Sequence, residues 1–187
     1  MRAKRPRLKY YFEAMLLGMV GAILVSFLTG FFSSAGVFEV DLVGALGIWL
    51  SDWLANGDTS SAGSYGFAAH LFGGGVFGIV YAVIFRITGA AGWRFGMTLG
   101  LLHWFLSGLA IGQLAMRYPQ MLGFLPADAP FETAAGTAQI GWLLLMHLVF
   151  GGLLGSSFEI LATPAKAIQA GRSAREDKER DETRQAA

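Results

Sequence analysis

Residues 147–155 read His-Leu-Val-Phe-Gly-Gly-Leu-Leu-Gly, and residues 70–78 read His-Leu-Phe-Gly-Gly-Gly-Val-Phe-Gly. Both fit His-Leu-x-x-Gly-Gly-x-x-Gly, and both lie inside long apolar runs. The pair reads as equivalent turns of two membrane-spanning helices. Four runs carry no Asp, Glu, Lys or Arg: 14–38, 59–85, 95–116 and 133–158. A span needs roughly 20 apolar residues, so each run is long enough. The first exceeds the core of a signal peptide, about 7–15 residues, and is expected to remain as a helix.

The bulk composition agrees. Of 187 residues, 54% are hydrophobic and only 14% charged, where a soluble domain carries about 25% charged residues. Cysteine is absent, which excludes disulfides, thiolate metal sites and cysteine nucleophiles. A net charge of +1 gives no global field for nucleic acid, and none is expected as a partner.

The distribution of Lys and Arg sets the orientation. Arg2, Lys4, Arg5, Arg7 and Lys9 precede the first run, and Arg86 and Arg94 separate the second from the third. Lys166, Arg172, Arg175, Lys178, Arg180 and Arg184 follow the fourth, and only Arg117 falls on the other side. With four spans, thirteen of the fourteen basic residues share one face. Both termini are then cytoplasmic.

The expected architecture is all-α: a four-transmembrane-helix bundle over about 12–32, 64–85, 95–116 and 134–162. An interfacial amphipathic helix over about 40–55 lies outside, where Leu42, Leu46, Trp49 and Trp53 share one helical face. It either lies flat, anchored by its tryptophans, or folds over the bundle as a lid. Residues 1–165 make the membrane domain and 166–187 a charged cytoplasmic tail. Tyr10, Tyr11 and Phe12 mark the inner boundary, Pro119, Pro126 and Pro130 keep the second outer loop irregular, and Pro164 ends the last helix. The first and third helices share a weaker match, Met15-Leu16-Leu17-Gly18 against Met97-Thr98-Leu99-Gly100. Two hairpins of the same orientation result, a parallel repeat about an axis along the membrane normal.

All three histidines fall inside predicted spans. Arg86 lies 16 residues after His70 and Pro164 lies 17 after His147. Each ring therefore sits about 24–26 Å above the inner edge, in the outer half of the membrane. His103, nine residues after Arg94, is nearer the midplane. Such side chains face the bundle interior or a partner. The residues four and eight after each histidine are glycines, Gly74 and Gly78, Gly151 and Gly155. Each ring thus borders a strip of bare backbone that admits a neighbouring helix or a flat ligand.

Three readings follow. In the first, which leads, the histidines hydrogen-bond across helices and the glycines let helices touch. In the second, His70, His147 and His103, flanked by Gly74, Gly78, Gly151 and Gly155, hold haem, a pigment or a metal ion, with His70 and His147 as the metal ligands. In the third they pass protons or metal ions, with Ser107, Gln113, Gln139 and Glu159 extending a polar track and Met116 and Met121 favouring soft Cu(I). Glu159 is expected either to snorkel to the inner interface or to pair with a basic residue such as Arg86.

No catalytic constellation is present in the sequence. Glu159 has no second carboxylate nearby for acid–base work. Ser107 follows His103 by four residues with no third group. Gly73-Gly74-Gly75 lacks the lysine of a phosphate loop. The sequence reads as non-enzymatic: a helical scaffold or accessory subunit whose partners are membrane lipids and other subunits or copies of itself.

The order of features carries a resemblance. A basic arm and first helix precede Trp49-Leu50-Ser51-Asp52-Trp53-Leu54, then Phe67-Ala68-Ala69-His70 opens the next helix. His103, a Pro-rich loop, and His147-Leu148-Val149 with Glu159 follow. Over about residues 12–160 the chain resembles the YagU-like family of small inner-membrane proteins. That resemblance implies a multi-pass protein of the bacterial inner membrane, linked to acid tolerance, with no established catalytic residues.

Overall fold

The computed structural model describes residues 8–37, 41–117, 137–162 and 182, without the side chains of 42, 111–117 and 160–162. The basic arm before Leu8, the Pro-rich loop, Pro164, Met121 and the charged tail apart from Glu182 lie outside the described residues, as do the side chains of Gln113 and Met116. Five helices are present: α1 Leu8–Ser34, α2 Leu42–Leu54, α3 Ala62–Thr88, α4 Trp93–Arg117 and α5 Thr137–Ala162. The described residues contain no strand. Among them, α1, α3 and α5 are long and apolar enough to cross a membrane. α4 has 25 residues, with Arg94 and Arg117 close to its ends.

Local chemistry fixes the boundaries. The Asp41 carboxylate accepts from the Gly44 amide at 2.8 Å and caps α2, satisfying a donor that the helix cannot. Gly89 takes the left-handed conformation after α3, with φ 67°, where a glycine carries no Cβ penalty. Gly92, at φ 106°, then turns the chain into α4. Asn56-Gly57-Asp58 forms the expected turn after α2, with Asn56 and Gly57 both at positive φ and Ser60 N donating to Asp58 at 2.9 Å.

Size, more than polarity, sorts the helix faces. In α1 the buried residues are Ala14, Gly18, Gly21 and Ala22, whereas Leu16, Val20, Ile23, Phe27 and Phe31 face outward. Small residues let backbones approach closely, and in lipid that is the face that holds helices together. A Cβ on Gly18 would collide with the Gly74 carbonyl and the Gly78 Cα, and one on Gly78 with the Ala14 carbonyl. The same geometry joins α4 to α5. A Cβ on Gly96 would collide with the Gly151 carbonyl and the Gly155 Cα, and one on Gly155 with the Gly92 carbonyl. Gly96 therefore occupies the place that Gly18 occupies in the other seam. The expected match of Gly18 with Gly100 is out by one turn, because glycines stand at both 96 and 100 and the sequence does not say which one meets the partner helix.

α2 docks on α3 through its small residues. The face it buries carries Gly44, Ala45, Gly47 and Ser51, and a Cβ on Gly47 or Gly66 would strike backbone across the α2–α3 contact. Leu46 and Trp49 are half-buried, while Trp53 is 67% exposed. Close backbone approach decides the docking.

The α1–α3 and α4–α5 pairs meet through aromatic rings. Phe150 packs against Tyr81 at 5.9 Å between centroids and Phe158 against Phe85 at 5.4 Å. Tyr10 meets Phe158 at 5.6 Å, and its hydroxyl reaches the Ala82 carbonyl at 3.3 Å. At the other end of α1, Trp142 Nε1 donates to Thr29 Oγ1 at 3.4 Å. These contacts set α1 antiparallel to α5, and α3 parallel to α5.

Candidate functional site

The three histidines converge at this inter-pair interface. α4 presents His103 at the centre. Its ring stacks on Phe77 of α3, 3.6 Å between centroids and 23° between planes. It meets His147 of α5 edge-on, at 4.8 Å and 87°, so the two rings share one depth. His147 does not lie farther out than His103, as counting from Pro164 implies, because the start of α4 at Gly92 stands level with Gly155 and not with the end of α5. Tyr81 and Phe150 close two further sides at 6.2 and 5.9 Å. His70 of α3 lies against the Ala22 backbone of α1, within electrostatic range of His147 and His103.

The hydrogen bonds fix part of the protonation pattern. His147 Nδ1 is 2.8 Å from the Leu143 carbonyl one turn back on its own helix. A carbonyl only accepts, so Nδ1 carries the proton and Nε2 keeps its lone pair. His70 Nε2, His103 Nδ1 and Tyr81 Oη are all buried without a hydrogen-bond partner among the protein atoms. A buried polar atom left in that state costs about 1–3 kcal/mol, which is high for three neighbours in one interface. The arrangement concentrates imidazole lone pairs inside a shell of aromatic carbon.

The glycine strips beside His70 and His147 are occupied by helix backbone. Gly74 and Gly78 face Ala14, Gly18 and Ala22, and Gly151 and Gly155 face Gly92, Gly96 and Gly100. The space that the sequence leaves open to a helix or a flat ligand is filled by a helix at all four positions. Phe77 covers one face of His103, so a macrocycle has no access to that face in this packing. Among the described residues, no three His, Cys, Asp or Glu side chains are placed to share a metal ion.

The remaining polar residues disperse. Gln139 is buried near the start of α5, away from the histidines. Ser107 is half-buried one turn beyond His103. Glu159 lies at the opposite end of α5, and one carboxylate oxygen is 3.0 Å from where a Cβ on Gly92 would stand. It therefore sits at the N-terminus of α4, where free amides and the helix dipole favour an anion. Arg86 donates to the Tyr11 hydroxyl at 3.1 Å.

Phe77, Tyr81 and Phe150 are the site residues that motif reading passes over. A helical-face argument finds them, since Phe77 and Tyr81 follow His70 by seven and eleven residues, about two and three turns along the same face. Compared with family models, with curated proteins and with solved structures, the chain matches none.

Proposed function

We propose that the chain is a non-enzymatic integral membrane protein, a four-span helical scaffold or accessory subunit of a complex in the bacterial inner membrane. One observation carries the reading: the molecule has the polarity of a lipid-solvated object. Alanine and glycine line the helix seams, while Phe27 at 69%, Phe72 at 71% and Ile87 at 79% exposure stand outward with Leu101, Leu102, Phe105 and Leu106. In water this surface would aggregate; in a bilayer it is ordinary.

The case for α4 as the fourth span is geometric. α3 and α5 run parallel, so the chain must cross back between them, and α4 lies antiparallel to α5 from Gly92 opposite Gly155 to Gly100 opposite His147. Two equivalent seams support two hairpins of like orientation. Cytoplasmic termini follow from the Lys and Arg distribution, and the resemblance to the YagU-like family implies the same membrane.

The absence of cysteine makes the test direct. Single cysteines at Asp58 and Thr88 are labelled with an impermeant maleimide in intact cells and after permeabilisation. Asp58→Cys should react in intact cells and Thr88→Cys only once the membrane is opened. Labelling of both from one side would overturn the arrangement.

A second reading is favoured by the convergence of His70, His103 and His147: the cluster handles protons or a bound ion or cofactor. Proton flux in liposomes that disappears in His103→Ala would support it. An absorption spectrum and metal analysis of detergent-purified protein would identify haem, pigment or metal.

A further inference from the structure

A shallow apolar groove of about 280 Å³ runs along the outer face of the α4–α5 pair, lined by Trp93, Met97, Leu148, Val149, Gly152 and Ser156. It faces away from the histidines. Gly152 makes its floor: a Cβ there would meet the Met97 side chain at 3.3 Å and the Trp93 carbonyl at 3.9 Å. The hydroxyl that would make one wall polar is already used, because Ser156 Oγ donates to the Gly152 carbonyl at 2.9 Å. Apart from the Trp93 indole at one end, the rest of the lining is aliphatic carbon, thioether and glycine, and the groove suits a hydrocarbon chain.

Its length and its charged end narrow the occupant. From Leu145 to Ser156 the groove follows α5 for about 16 Å at the helical rise. That matches one leaflet, half of a hydrocarbon core about 30 Å thick. Among the described residues, the Trp93 end alone carries a cation. The Arg94 guanidinium lies over the Trp93 ring at 5.1 Å and is exposed. The nearby acid, Glu159, turns to Gly92 at the start of α4. Tryptophan and arginine together at one end of an apolar track match the headgroup level of a bilayer.

We infer that this groove is a binding site for an anionic phospholipid of the inner leaflet, with one acyl chain along α5 between Trp93 and Leu145 and the phosphate at Arg94. The inference rests on the membrane reading and adds a ligand class to it. An uncharged scaffold surface would take any lipid; Arg94 gives this one a preference.

Detergent-purified full-length protein is mixed with phosphatidylglycerol or with phosphatidylcholine of the same chain length, and lipid retention is read by native mass spectrometry. The wild type should retain phosphatidylglycerol about fivefold more, the worth of one basic residue at an anionic surface. Arg94→Gln should bring the two lipids level while both still bind. Gly152→Leu fills the floor and should abolish retention of both, and Val149→Phe gives the same readout if Gly152→Leu does not fold. Equal retention by the wild type, a preference that survives Arg94→Gln, or retention that survives both groove fillings would overturn the site. A chain that leaves the membrane without detergent would overturn the membrane reading and this site together. An integral chain with no lipid preference overturns this site alone.

Discussion

The α1–α3 seam and the α4–α5 seam follow one plan, with alanine at 14 and 22 in the first where glycine stands at 92 and 100 in the second. Gly18 and Gly96 hold equivalent places, as do Gly74 and Gly151, and Gly78 and Gly155. One turn further along, α1 has Ala22 against Gly74 where α4 has Gly100 against Gly151. The missing methyl lets α4 reach the His147 backbone, because a Cβ on Gly100 would strike the His147 carbonyl. His147 then bonds its own helix at Leu143, while its counterpart His70 lies against the Ala22 backbone of the neighbouring helix. Two copies of one short motif thus have different surroundings, and the residue across the seam is one source of the difference.

The largest effect that would test this comparison is expected at the seam centres. Gly18→Ala and Gly96→Ala each push a methyl into a backbone carbonyl that has no rotamer to change. Overpacking of this kind costs about 1–3 kcal/mol, and both variants should reach the upper end in detergent-unfolding titrations. A marked difference between them would break the equivalence of the seams.

The exchange at the differing turn is next. Gly100→Ala should lose about 1–2 kcal/mol by the same mechanism. Ala22→Gly meets no clash and should lose about 1 kcal/mol, the helix propensity of glycine. Nitrogen-15 NMR of the imidazoles would show whether the altered seam also changes the hydrogen bond of His147.

At the inter-pair interface, His103→Ala removes the stack on Phe77 and should cost about 0.5–1.5 kcal/mol beyond the lost buried area. His103→Phe keeps the ring and removes the unpartnered nitrogen, so its stability should stay within about 1 kcal/mol of wild type. Equal losses in the two variants would mean that the nitrogen, and not the ring, holds the helices.

The smallest effect is expected at Gly73. It stands beside the seam residue Gly74 but would place a Cβ in open space. Gly73→Ala should be neutral or stabilising by up to about 1 kcal/mol. A loss there would show that the seam tolerates less than its geometry implies.

The helices, their approximate limits and the inward convergence of the histidines were legible in the sequence, because runs without charge and costly polar residues leave clear marks in lipid. The register of Gly18 was not, since Gly96 and Gly100 both fit the pattern. Nor was the buried face of α2. Its Leu42, Leu46, Trp49 and Trp53 face stands out by polarity, yet the face that docks is marked only by the small size of Gly44, Gly47 and Ser51. Hydropathy cannot separate a lipid-facing leucine from a helix-facing alanine, as both are apolar. The aromatic shell of His103 was recoverable in part, through the spacing of Phe77 and Tyr81 from His70. The bond from Arg86 to Tyr11 depends on side-chain reach between helices and leaves no trace in spacing.

The backbone-to-backbone character of the seams bears on how the molecule can move. Carbonyl groups lodged against Cα atoms act as teeth, and neither helix of a pair can slide or roll without lifting the other away. Each pair is therefore a stiff plank, and the compliant joint is the sheet of rings between the planks. The packing leaves rocking of one plank on the other as the motion that breaks the fewest backbone contacts, with His103 between the planks.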